Sequence, residues 1–337
     1  MKKKTAVLLI NLGTPDSPSV GDVRKYLFQF LNDPRVIDIP WLLRALLVNL
    51  IIVPFRAPKS AKIYKELWTK DGSPLLLHGK HVTQKLQEKL AQKADVFFAM
   101  RYQNPSIDNV LEEIRKKNYS KIIVIPLYPQ YASSSTGSTL EKVMQVVSKW
   151  WVIPEITLVS QYYDEVGYID AFAERGKKHM EDRYEHVLFS YHGLPVRQVD
   201  KVYESTPCAD HHCEDHLDEE NAFCYKAACY ETTRLIAARL NIPKENYTVA
   251  FQSRLDKKWL EPFSDEVVEQ LAKKGVKRLL VFSPAFTADC LETTIEIGSE
   301  YKEIFEEHGG QHLQLVESLN DHPLWIGTLE KLVLDRL

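Results

Sequence analysis

VLFSYHGLP, residues 187–195, matches VLLINLGTP, residues 7–15, position by position: a hydrophobic run, a glycine, and a proline two residues later. The offset is 180 residues. Further along, EPFSDEVVEQLAKKGVKRLLVF (261–282) matches NPSIDNVLEEIRKKNYSKIIVI (104–125) at an offset of 157. Pro262 falls on Pro105, Asp265 on Asp108, Val267 on Val110, Glu269 on Glu112, and Lys273-Lys274 on Lys116-Lys117. Each copy runs from a proline-containing helix start, through helical periodicity, into a short apolar run of strand character. The chain therefore carries the same α-to-β unit twice.

Runs such as IIVIP (122–126) and LLVF (279–282) are apolar throughout, as strands are when helices cover both faces of a parallel sheet. Two similar α/β domains with doubly wound parallel sheets are expected, over 1–160 and 161–321, with a last helix (322–337) packing back on the first. In such sheets ligands bind at the carboxyl ends of the strands, and with two domains the cleft between them is the expected site.

With 337 residues, 45% of them hydrophobic and 26% charged, the chain has material for two ordinary cores. A net charge of -3 leaves no basic excess for nucleic acid, so no nucleic-acid partner is expected and small-molecule chemistry is favoured. The start MKKKTAVLLINLG is basic, but its apolar run of about six residues passes straight into an Asn-Leu-Gly-Thr-Pro turn. It reads as a first buried strand and not as a secretory signal, which makes the expected location cytoplasmic. WLLRALLVNLIIVP (41–54) contains Arg44 and Asn49 and falls short of the roughly 20 residues that cross a bilayer. It fits a core or cleft helix, or one lying peripherally on the inner membrane.

The repeat also isolates what is not shared. His192 stands where the first copy has Leu12, so the turn itself does not require an imidazole. After LLVF and Pro284 comes a segment carrying Glu292, Glu296 and Glu300, whose spacing of four keeps helical side chains near one another. Like charges so placed repel by a few tenths of a kcal/mol per pair when exposed, and by more when desolvated. The stripe is either a solvated acidic face or a row that carries protons or guides a divalent cation. Imidazole with carboxylate suits ferrous iron, and either group accepts protons. The sequence has no G-x-G-x-x-G, G-x-x-x-x-G-K-[ST], G-x-S-x-G or H-E-x-x-H, which leaves nucleotide hydride and phosphoryl transfer without support.

These features lie in segments that resemble ferrochelatases: INLGTPDS with VRKYLFQFLNDPRVI (10–37), YKELW with GSPL (64–75), MRYQNP (100–105), IPLYPQYASSSTGSTL (125–140), FSYHGLP (189–195), FQSR (251–254), ADCLETTIEI (288–297) and ESLNDHP (317–323). The resemblance spans nearly the whole chain in order. It implies two Rossmann-like domains with parallel four-stranded sheets, closing on a porphyrin, and insertion of Fe2+ into protoporphyrin IX at the end of haem synthesis. Carried over segment by segment, it implies His192 and Glu292 as the central catalytic pair and as contacts for the Fe2+ substrate. Glu296 and Glu300 continue the acidic path, and Leu12, Arg101, Tyr102 and Tyr128 contact the porphyrin. Which of the pair takes protons and which meets iron stays open. The chain departs from the pattern after FQSR, where LDKKWLEP lacks the usual Gly and Pro before Trp259. A cobalt chelatase of the same fold, or a non-catalytic tetrapyrrole or metal carrier, would use the same cleft.

Cys208, Cys213, Cys224 and Cys229, spaced C-x4-C-x10-C-x4-C, form an insertion (208–229) relative to simpler bacterial members, with His211, His212 and His216 interspersed. In a chain without a leader such a cluster suggests metal before disulfides. Some ferrochelatases carry a two-iron two-sulfur cluster in an internal segment, which the resemblance implies here; structural zinc and free thiols are the alternatives. Cys290 reads as a bystander.

Overall fold

The computed structural model describes residues 5–337, so the basic start, residues 1–4, lies outside the described residues. Strands β1 (Thr5–Gly13), β2 (Asp95–Tyr102), β3 (Lys121–Pro126) and β4 (Glu155–Leu158) form one parallel sheet in the order β2-β1-β3-β4. Strands β5 (His186–His192), β6 (Tyr247–Gln252), β7 (Arg278–Phe282) and β8 (His312–Leu315) form a second in the order β6-β5-β7-β8, again all parallel. The two matched segments are therefore the same strand of two like sheets, and IIVIP and LLVF take the place beside it in each.

The local causes are plain. Ala6 to Ile10 of β1 are wholly buried, as an apolar run covered on both faces must be. The helix Ile107–Lys116 begins where the Ser106 side chain accepts from Asn109 N–H, and it buries Ile107, Val110, Leu111 and Ile114, one face at helical spacing. Its repeat partner, Ser264–Lys273, buries Val267, Val268, Leu271 and Ala272 against the second sheet.

The shared glycine has a shared reason. A Cβ on Gly13, whose φ is +128°, would sit 2.2 Å from the carbonyl oxygen of Tyr102, the last residue of β2. One on Gly193 would sit 2.8 Å from the carbonyl oxygen of Gln252, the last residue of β6. Both exit turns press on the end of the neighbouring strand, and only glycine leaves room.

The chain divides into two compact units, one comprising the residues through Tyr128, Ala132–Gln161 and Ile326–Leu337, the other Pro129–Tyr131 and Tyr162–Trp325. Pro129–Tyr131 leaves the first unit because Gln130 Nε2 donates to Tyr168 Oη at 3.2 Å and to Thr232 Oγ1 at 3.0 Å, while Tyr131 meets the Phe223 ring edge-on. Periodicity gave no sign of this exchange.

The apolar segment at 41–54 is longer than its sequence suggested. A continuous helix runs Trp41–Leu67, 27 residues, through Pro54 and Pro58, and so is long enough to cross a membrane by length and composition. A π-helical stretch over Leu47–Ile52 precedes Pro54, and its wider winding takes up the clash a proline ring makes with the preceding turn. This is not a core helix: only 17% of its apolar window is buried, with Trp41 and Phe55 more than 70% exposed.

Candidate active site at the strand ends

In the second unit, His192 ends β5 and pairs in register with Gln252, the end of β6. Its Nδ1 lies 2.6 Å from the Gly193 carbonyl oxygen. A carbonyl can only accept, so Nδ1 carries the hydrogen and Nε2 is the nitrogen left to take up a proton. The ring is half-buried, with Trp259 at 6.4 Å and Phe286 at 6.3 Å between ring centroids. Trp259 thus stands beside His192 despite the divergent residues before it, held by a bridge to Pro195.

Gln252 joins this strand end to the acidic segment. Its Oε1 accepts from Ser190 Oγ at 2.9 Å, while its Nε2 donates to the Glu292 carbonyl oxygen at 2.9 Å and to Glu296 Oε2 at 3.0 Å. One buried amide therefore fixes the start of the acidic segment against the residue paired with His192. Glu292–Tyr301 winds as a π-helix, not as the α-helix its spacing suggested. The i→i+5 winding turns each residue slightly less, so residues four apart still share a side.

The three carboxylates are unlike one another. Glu292 is half-buried beside the Cys290 thiol, which burial and the Glu292 charge push up in pKa, so that it stays protonated and donates to the carboxylate. Glu296 accepts from four donors: Ser253 N–H at 2.8 Å, Ser253 Oγ at 2.6 Å, Gln252 Nε2, and Tyr301 Oη at 3.0 Å. Burial and the Glu296 charge keep the Tyr301 hydroxyl protonated for that role. Glu300 is exposed. The stripe is a graded row and not a uniformly solvated face.

In the first unit, Leu12, Arg101, Tyr102 and Tyr128 also stand at or just past strand carboxyl ends. Leu12 is half-buried, and so is Tyr128, whose hydroxyl burial keeps neutral. Arg101 and Tyr102 are engaged inside the unit with Asp33, a residue sequence reasoning missed. Asp33 Oδ2 accepts from Arg101 Nη2 at 2.6 Å, Tyr102 Oη at 2.9 Å and Ser138 Oγ at 2.6 Å. Arg101 Nε donates in turn to Ser138 Oγ at 2.7 Å. Tyr102 is 1% exposed, an interior position and not the pocket surface the resemblance implied.

The structure gathers three of the four clustered cysteines. Cys208 Sγ lies 3.7 Å from Cys213 Sγ and 3.6 Å from Cys224 Sγ, all three buried and mutually within 4.8 Å. Around a metal with sulfur at about 2.3 Å, a tetrahedron has sulfur–sulfur edges of ~3.75 Å, so the spacing fits such an ion. Hydrogen bonds from Cys208 and Cys213 hold the Cys224 thiol below its ordinary pKa. Cys229, expected as a fourth ligand, is not in this group; buried one turn into the helix Tyr225–Leu240, its thiol lies within hydrogen-bond reach of Tyr225. His211, His212 and His216 are outside the group too, His211 being stacked on Tyr203 at 3.9 Å.

Two parallel four-stranded units of like order define a protein of the chelatase fold. SirB from Bacillus subtilis with Fe3+ superposes with a TM-score of 0.56 at 13% identity, covering 98% of this chain and 95% of that one. The cobalt complex of the sirohydrochlorin chelatase SirB from Bacillus subtilis subspecies spizizenii gives 0.51 at 12% identity, covering 96% and 92%. The sequence goes further, because the family model Ferrochelatase matches residues 4–337. Ferrochelatases from Legionella pneumophila (strain Lens) and from a Coxiella burnetii strain are each 42% identical over 98% of this chain, covering 98% and 93% of their own lengths. The chain belongs to the ferrochelatase family. It is a metal chelatase of the lyase class, placing ferrous iron in a porphyrin at the last step of haem synthesis.

Proposed function

We propose that His192 is the proton acceptor when Fe2+ enters protoporphyrin IX, and that Glu292 meets the incoming iron. The porphyrin must give up two pyrrole N–H protons as it gains the metal, so a base has to face its nitrogens. The observation that carries the assignment is the Nδ1 contact to Gly193, which leaves Nε2 as the nitrogen to take up a proton. Protons leave His192 by way of Glu292, Glu296 and Glu300, with Glu296 held in place by its four donors between an inner and an outer carboxyl group. Leu12, Arg101 and Tyr128 are the porphyrin contacts in this proposal. Anaerobic addition of Fe2+ to enzyme with excess protoporphyrin IX is the test. Many turnovers of lost porphyrin fluorescence are expected; stoichiometric quenching would mark a carrier, and activity only with Co2+ on a corrin precursor a cobalt chelatase.

The cage of Cys208, Cys213 and Cys224 holds metal in this proposal, as a two-iron two-sulfur cluster that would transfer or store single electrons. That cluster needs a fourth ligand, and Cys229 reaches it only by turning away from Tyr225. A single zinc ion is the second reading, favoured by three sulfurs in mutual contact, since a two-iron cluster puts only two of its cysteines on each iron. Freshly purified protein is expected to show visible charge-transfer bands that bleach on reduction. A colourless protein with one zinc per chain would replace the cluster by the ion.

We further propose that the protein works in the cytoplasm and touches the inner membrane through the exposed side of residues 41–54 and the adjoining Phe55. Support comes from Trp41, Leu43, Leu46, Leu50 and Phe55, all exposed, followed at once by exposed Arg56, Lys59, Lys62 and Lys65. In co-sedimentation with anionic phospholipid vesicles, the double variant Leu50→Glu, Phe55→Glu is expected to bind about 100-fold more weakly, from the loss of two large apolar contacts. Unchanged binding would remove this face from the membrane.

A further inference from the structure

The cysteine segment is tied to the His192 turn at two places. Cys208 N–H donates to Asp200 Oδ1 at 2.9 Å, and Asp200 follows the single helical turn Val196–Val199 that leads out of that turn. Tyr225, the residue after Cys224, donates its hydroxyl to the His192 carbonyl oxygen at 2.9 Å. Tyr225 is 7% exposed, so this bond is shielded from water. Cys224 is the N-cap of the helix that Tyr225 begins, so a movement of the Cys224 sulfur reorients the first residue of that helix.

The bond matters because of the group it holds. The peptide joining His192 to Gly193 is gripped on both sides: its C=O by Tyr225 Oη, and its N–H by the Gln252 carbonyl oxygen at 2.8 Å. Its orientation directs the Gly193 backbone, whose carbonyl takes the His192 Nδ1 hydrogen. Release of the Tyr225 side frees that peptide to rotate, and with it the acceptor that fixes the tautomer of the imidazole.

We infer that Tyr225 is a positioning residue for His192, and that it transmits metal occupancy of the Cys208–Cys213–Cys224 cage to the imidazole. The inference rests on the proposed roles of His192 and of the cage.

The test uses the full chain labelled with 15N-histidine, with the His192 ring signals assigned by their loss in His192→Ala. Spectra are compared for metal-free protein and for protein with one equivalent of Cd2+, a thiophilic ion whose sulfur-to-metal absorption reports binding at the cage. In Tyr225→Phe, which keeps the buried ring, kcat is expected to fall about tenfold with little change in KM for porphyrin. The His192 signals are expected to lose the pattern of a single Nδ1–H tautomer. Cd2+ shifts those signals in the parent protein and leaves them unmoved in Tyr225→Phe. A parent-like tautomer in Tyr225→Phe overturns the positioning role, and a Cd2+ shift that survives the substitution overturns the transmission. Absence of the sulfur-to-metal band in the parent protein overturns the cage and the transmission together. The tautomer comparison needs no metal and decides the positioning role alone, while turnover of His192→Ala judges the catalytic assignment separately.

Discussion

His192→Ala protein is expected to keep its fold and to lose turnover by about 10²- to 10⁴-fold, the contribution of a positioned proton acceptor. The fold survives because the side chain is half-buried and its hydrogen bond runs only to the adjacent Gly193, so its removal leaves no distant group unpaired. The loss is expected in kcat and kcat/KM alike, since the imidazole acts on protons that move only as the metal enters. Glu292→Gln keeps the shape and removes the charge, and a large drop is expected there too. Steady-state assay with Fe2+ under anaerobic conditions gives both values. Near-parent turnover in His192→Ala would end the assignment of this residue as the base.

The largest effect on stability is expected at Asp33→Ala. Asp33 is 3% exposed at its side chain and is the common acceptor for Arg101, Tyr102 and Ser138. Its removal strands a guanidinium whose side chain is 18% exposed, together with two hydroxyl donors. Removing one partner of a buried ion pair costs about 3–5 kcal/mol, mostly through the unpaired charge left behind. Asp33→Asn keeps an acceptor oxygen and is expected to lose less. Urea denaturation of the full chain measures both, and a change under ~1 kcal/mol in Asp33→Ala would show the three donors finding other partners.

The fold was legible because its determinants are local or repeated. Uninterrupted apolar runs at β1, β3, β5 and β7 report two covered faces, and the doubled segment reports two like sheets. His192 stood out because Leu12 holds the same place in the other copy. Asp33 did not, since its partners lie 68 and 105 residues away and a bond across such distances leaves no period in the chain. Gln252 and Tyr225 were hidden for the same reason, at 44 residues from Glu296 and 33 from His192. The π-helical winding at Leu47–Ile52, Ser133–Gly137 and Glu292–Tyr301 is equally silent, because a spacing of four suits α and π windings alike. Cys229 misled for the opposite reason. The even C-x4-C spacing pairs it with Cys224 on paper, yet a regular helix starting at Tyr225 turns it about 140° away from its fifth predecessor.

The division of the last helix bears on how the protein is made. Ile326, Leu329, Leu332 and Val333 are buried, and they belong to the unit that also contains β1. A ribosome therefore releases residues through 325 before the unit containing β1 can take in these apolar side chains. The opposite order holds for the other half, whose residues through Trp325 emerge earlier and can close on themselves during translation. Greasy surface on the first-made part stays open until that helix emerges, an interval in which a nascent chain needs shielding from its neighbours.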